Sequence, residues 1–117
     1  MAGVGGAARE GAPMNTRNRL PSRRPAESFE VEVGGLRYIV TVGRFPDGTI
    51  GELFLSSHKT NSSADTAARD CGVALSIALQ YGADLETIRR ALCRDSQGRP
   101  SGALGAALDV IMGVAAP

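Results

Sequence analysis

Apolar and polar positions alternate along "SFEVEV", where Phe29, Val31 and Val33 are separated by Glu30 and Glu32. The alternation resumes along "LRYIVTV", where Leu36, Tyr38, Val40 and Val42 alternate with Arg37, Ile39 and Thr41. Period two marks a strand with one face against a core. Gly34 and Gly35 stand between the two runs and predict a tight hairpin. Pro46, Asp47 and Gly48 predict a second turn, because proline presets φ and glycine accepts positive φ. A third strand is expected from Thr49 to about Ser56, with Ile50, Glu52 and Phe54 on one face and Leu53 and Leu55 on the other. Three strands joined by short turns make an antiparallel meander whose apolar face needs a cover.

That cover is expected from the second half of the chain. Ser62 suits a helix N-cap, with Asp65 three residues on as in a capping box, and Asp65 and Arg69 are spaced to pair. From Cys71 to Leu79 the helix is apolar almost all round, which predicts burial on more than one side and places Cys71 in a core. A monomer with this helix between sheet and helices fits, and so does a homodimer. Gly82 suits the residue just past the helix end. Asp84 then caps a second helix to about Cys93, with Leu85, Ile88, Ala91 and Leu92 inward. After the loop "RDSQGRPSG", a third helix runs from about Gly102 to Met112 with Leu104, Leu108 and Ile111 on one side. The expected fold is α+β, a three-stranded antiparallel β-meander followed by three helices packed on one face, in the order βββααα. It occupies residues 26–113, after a flexible arm rich in Gly, Ala and Arg over 1–25 and before a short tail over 114–117.

Composition narrows the function classes. With 117 residues, 43% of them hydrophobic, the chain suits one domain. Aromatics make up 4% and Trp is absent, so Leu, Val, Ile and Ala must build the core. A formal net charge of +1 does not point to nucleic acid or a membrane surface. Locally, Arg17, Arg19, Arg23 and Arg24 form one basic group, and Arg89, Arg90, Arg94 and Arg99 form another. Cys71 and Cys93 are too few for a secreted disulfide scaffold and read as reduced thiols of a cytoplasmic protein. The N-terminal "MAGVGGAAREGAP" lacks the apolar core of a signal peptide, and Met14 offers a second translation start.

Candidate chemistry is sparse. His58 is the only histidine and has no partner at metal-ligand spacing. In "SSHKTNSS", the residues His58, Lys59, Asn61 and Ser62 precede a helix N-terminus and form a candidate anion site. The glycines of a phosphate loop are missing, and a capped helix behind a polar turn is the plainer reading. Arg89 and Arg90 are a candidate interaction surface, although Glu86 lies three and four residues earlier and can neutralise either. The helix pair over residues 78–93, "ALQYGADLETIRRALC", has the spacing of a helix-turn-helix. With the basic N-terminal arm it supports a DNA-binding alternative, against which Asp84 and Glu86 would repel phosphates. No nucleophile–base pair, carboxylate pair or metal set can be named, so no catalytic residue, metal or cofactor is expected.

Three stretches in this order, "GELFLSSHK", "ALSIALQYGADLETIRRAL" and "PSGALGAALDV", resemble the TSCPD domain, and the resemblance runs from Arg19 to Ile111. That domain occurs near the C-terminus of adenosylcobalamin-dependent ribonucleotide reductases and in short stand-alone proteins. The family's Thr-Ser-Cys-Pro-Asp motif is altered here: Ser101 remains, Gly102 stands at the cysteine and Ala103 at the proline. Thiol or metal chemistry of that cysteine therefore does not carry over. The reductase barrel needs several hundred residues, so the chain is not expected to reduce nucleotides itself. The resemblance implies a non-catalytic accessory or regulatory protein, with a ribonucleotide reductase subunit as partner and a nucleotide or other anion as ligand.

Overall fold

The computed structural model describes residues 16–116. Of the expected arm over residues 1–25, residues 1–15 lie outside the described residues. The elements are β1 (Ala26–Val33), β2 (Leu36–Arg44), β3 (Ile50–Ser57), α1 (Ser63–Gln80), α2 (Leu85–Ala91) and α3 (Ala103–Ile111). The strands pair antiparallel in the order β1-β2-β3, so the chain has the α+β fold that its periodicity predicts.

The register sets the core. Phe29 lies opposite Val40 and Val31 opposite Tyr38, while Val40 faces Leu55 and Val42 faces Leu53 on the other side of β2. Side chains alternate along a strand, so these residues share one face. Val40, Val42, Leu53 and Leu55 are buried there with Leu75 and Leu79 of α1 and with Ala107 and Leu108 of α3.

β3 is an edge strand, and α1 runs along its open side. Ser76 Oγ accepts from the Leu53 N–H at 2.8 Å and lies 3.0 Å from the Leu53 carbonyl. Gln80 Nε2 donates to the Gly51 carbonyl at 2.9 Å, and Asp65 Oδ1 accepts from the Ser57 N–H at 2.8 Å. Asp65, Ser76 and Gln80 are all buried. Unpaired backbone groups are costly inside a protein and invite wrong pairing at a sheet edge. One stripe of α1 removes both liabilities. The contact demands a missing side chain: a Cβ on Gly72 would stand 2.8 Å from the Leu53 oxygen and 3.1 Å from the Leu55 nitrogen.

The caps follow the sequence. Ser62 Oγ accepts from the Asp65 N–H, and Asp84 Oδ2 accepts from the Thr87 N–H, at 3.1 Å each. Past the C-cap Tyr81, Gly82 takes φ 100, its N–H bonding the Leu79 carbonyl while the Ala83 N–H reaches Ala78.

Three expectations change. α1 is buried along one stripe only. Cys71, Val73, Ala74 and Ile77 are exposed, because the β3 edge takes one face of the helix and α3 packs over β1 instead of over the other. Cys71 is therefore not a core residue, and Cys93 is exposed as well. Ala91 also faces solvent, since α2 meets the core through the half-buried Leu85, Ile88 and Leu92.

Beyond the elements, residues 17–25 are tied to the domain. The Asn18 N–H donates to the Gln80 carbonyl at 2.7 Å and Arg17 Nε to Gln80 Oε1 at 2.6 Å. Arg24 grips both oxygens of Glu52.

Gly72→Ala tests the close approach. Alanine should gain about 1 kcal/mol of helix propensity. The clash with fixed β3 backbone should outweigh this, for a net loss of about 1–3 kcal/mol. Thermal unfolding followed by circular dichroism should show a Tm lower by several degrees; a Tm at or above the parent's would mean that α1 stands further from β3.

Candidate functional site

The loop between β3 and α1 carries the four residues expected to meet an anion, but its His58, Lys59 and Asn61 N–H donors are engaged within the protein. Asp65 Oδ1 takes the Ser57 N–H, and Oδ2 lies 3.4 Å from the Asn61 nitrogen and 3.0 Å from Arg69 Nε. Ser62 Oγ donates to the Lys59 carbonyl at 2.6 Å, and the Lys59 N–H reaches Ser57 Oγ at 3.0 Å. Asn61 sits in the left-handed region at φ 60, which lets its N–H turn inward. The Ser57 N–H first, then Arg69, hold the Asp65 carboxyl below the usual range. Asn61 and Ser62 share the helix N-terminus, whereas the His58 ring turns to the outer sheet face, 3.1 Å from Glu30 Oε2. Lys59 is exposed beside them. A phosphate entering this loop would meet Asp65. Sequence reading noticed Asp65 as a capping residue and a partner for Arg69, but not as the group that ties β3 to α1.

The two arginines of α2 part company. Arg89 donates from Nε and Nη2 to the two oxygens of Glu86, at 2.9 and 2.8 Å, and from Nη1 to Asp109 Oδ1 at 3.1 Å. Arg94 grips Asp109 from the other side at 2.6 and 2.9 Å. The Arg89 side chain is 14% exposed and that of Arg90 75%. Arg89 is thus a tie between α2 and α3, and Arg90, though bonded to Glu86, is the member that solvent or a partner can reach. Arg89 and then Arg90 lower the Glu86 pKa to about 2. Arg94 and then Arg89 lower that of the buried Asp109, and Glu86 and Asp109 raise that of Arg89. As a reading helix α2 is short, with seven residues, and Asp84 and Glu86 occupy its start.

Two surface features escaped the sequence. A cleft of about 360 Å³ with largely apolar walls separates α1 from the α2–α3 connection, and Tyr38, Ala68, Cys71, Cys93 and Leu104 line it. A second hollow, of about 260 Å³, lies between the outer sheet face and α1, where Ile39, Phe54 and Val73 meet. Period-two and helical patterns do show which positions are apolar. They do not show that no described residue covers these. Among the described residues no group of three or more His, Cys, Asp or Glu is placed to hold a metal, and no helix is long and apolar enough to cross a membrane.

Comparison with known proteins finds relatives named vitamin B12-dependent ribonucleotide reductase. The one from Agrobacterium fabrum is 37% identical over 70 residues, which is 60% of this chain and 6% of the relative. That of Rhodopirellula baltica is 39% identical over 72 residues, 62% of this chain and 7% of the relative. That of Streptantibioticus cattleyicolor is 38% identical over 71 residues, 61% of this chain and 12% of the relative. The chain thus spans between 6% and 12% of the length of these curated relatives. No protein-family model matches the chain, and no solved structure does.

The ion pairs predict the response to acid. Asp65, Glu86 and Asp109 all have folded pKa values below their ordinary ones. Their stabilisation is complete above the unfolded carboxylate range of about 4 and is lost as pH falls through the folded values. The urea midpoint should stay flat from about pH 7 to 5 and decline below about pH 4. At neutral pH, Arg89→Ala should lower that midpoint clearly and Arg90→Ala barely; equal losses would mean that Asp109 does not need Arg89.

Proposed function

We propose that this chain is a non-catalytic accessory module of the TSCPD type that associates with a vitamin B12-dependent ribonucleotide reductase. One observation carries the reading: about 60% of the chain matches only 6–12% of the length of reductases so named. A unit that is a small part of a large polypeptide is more readily a docking or regulatory piece than the seat of the whole reaction. The charged groups fit this reading, since Asp65, Glu86, Arg89, Arg94 and Asp109 hold elements of the domain together. Gly102, where the family's cysteine would stand, is the N-cap of α3 and brings no thiol to that helix.

Nucleotide binding at His58, Lys59, Asn61 and Ser62 draws less support, because the Asn61 N–H turns to the Asp65 carboxylate, the Lys59 N–H to Ser57 Oγ and the His58 ring to Glu30. DNA reading through residues 78–93 is weakened by the engagement of Arg89 with Glu86 and Asp109.

Capture on the immobilised chain from a nuclease-treated lysate of its own cells, read by mass spectrometry, tests the proposal. The expected result is specific recovery of a vitamin B12-dependent ribonucleotide reductase, unchanged by added deoxynucleotides and by Lys59→Ala. Failure to recover a reductase, with DNA retained when nuclease is omitted, would overturn it in favour of the helix-turn-helix reading.

A further inference from the structure

α1 carries a second apolar face that the fold does not use. Its inner stripe lies on β3, whereas Ala67, Cys71, Val73, Ala74 and Ile77, with Tyr81 at the C-cap, are exposed. Within Ala67–Tyr81 only Arg69 and Asp70 are charged, and both lie in the N-terminal half of the helix. The face does not stop at the helix. Ile39 and Phe54 project from the outer side of the sheet and share a hollow with Val73. Val73 is 50% exposed, Phe54 47%, Tyr81 43%, Ile39 39% and Ile77 38%. These five side chains expose an apolar area on the order of 400 Å², the size of the largest patch on a typical monomer, which is often functional.

We propose that the occupant is a second copy of this chain, joined to the first by antiparallel packing of the two α1 helices about Ile77. Val73, Ile77 and Tyr81 follow one another at four-residue spacing and form a straight stripe. In a two-fold pair the contact is self-complementary. Ile77 meets its own copy at the axis, and the small Val73 lies against the second copy's large Tyr81. Ala74 and Cys71 beside the stripe let the helices approach closely, and Phe54 extends the contact onto the sheet.

Charge permits this occupant. Val73, Ile77 and Tyr81 are uncharged, and a net charge of +1 leaves two copies without long-range repulsion. Arg69 is already paired with Asp65 of its own copy, and Asp70, one turn before Val73 and Ala74, lies at the rim of the contact. Area allows a weak, concentration-dependent pair: two such faces with their rims bury on the order of 1,000 Å² in total, the lower limit for a biological contact.

Sedimentation or light scattering over about two decades of concentration tests the proposal. The expected mass rises toward twice the chain mass of 12.1 kDa. Ile77→Glu and Val73→Glu should each raise the dimer dissociation constant by at least about a hundredfold. Both positions are substantially exposed, so circular dichroism should remain that of the parent; Phe54→Ser provides a variant outside the helix, with a smaller expected effect in the same direction. A parent that stays monomeric throughout overturns the proposal, and so does a dimer that survives both glutamates. If the parent is monomeric and captures a reductase only with Ile77 intact, the face belongs to the reductase and the second copy is ruled out as occupant. A dimer that captures no reductase would leave this inference standing and remove the proposed function.

Discussion

Strand β3 bonds to β2 along one side, and along the other its N–H and C=O groups need partners. Helix α1 provides them through Ser76 on Leu53, Gln80 on Gly51 and Asp65 on Ser57. These three side chains lie on one stripe, and Gly72 lies between them so that the helix can come close enough to bond. Much else follows from this seam. Because Asp65 must reach back to Ser57, the loop over residues 58–62 closes on a carboxylate and offers little to an anion. Because one stripe of α1 is committed to the strand edge, the opposite face of an apolar helix has to look outward. Gln80 also receives Arg17, and its carbonyl receives Asn18, so the same seam anchors the segment leading into β1.

The arginines show a similar economy. In sequence they form two basic groups that invite a phosphate partner. In the fold Arg24 grips Glu52, Arg89 and Arg94 converge on Asp109, and Arg99 pairs with Asp95. The two-pronged contacts of Arg24 with Glu52 and of Arg94 with Asp109 fix geometry as well as charge. The buried Asp109 is tolerable only because two guanidiniums meet it, and it joins the start of the α2–α3 connection to α3. The near-zero net charge already suggested that opposite charges would find each other. It did not say which pairs would form.

What the sequence made legible was local. Strand periodicity, the Gly34–Gly35 and Pro46–Gly48 turns, the Ser62 and Asp84 caps and the Gly82 terminator all depend on a few neighbouring residues, and each appears where expected. What stayed hidden depends on which element lies beside which. Ser76 and Gln80 look like ordinary polar helix positions until an open strand edge is placed against them. Arg89 looks as exposed as Arg90 until α3 brings Asp109 to it. Cys71 sits in an apolar run and would be core if a further element lay over α1. The pattern reports that the position is apolar, not that this chain supplies its cover.

That last gap bears on function. In the reductases that share a stretch with this chain, the matched residues are a small part of a long polypeptide. A second copy that covers the α1 face does so at the cost of association entropy, so the contact forms only as the concentration of the chain rises. It closes apolar side chains over Val73, Ile77 and Phe54, and a reductase bound by such a dimer has to dock away from them. Both consequences arise from one helix with two apolar faces, only one of which the sheet edge can use.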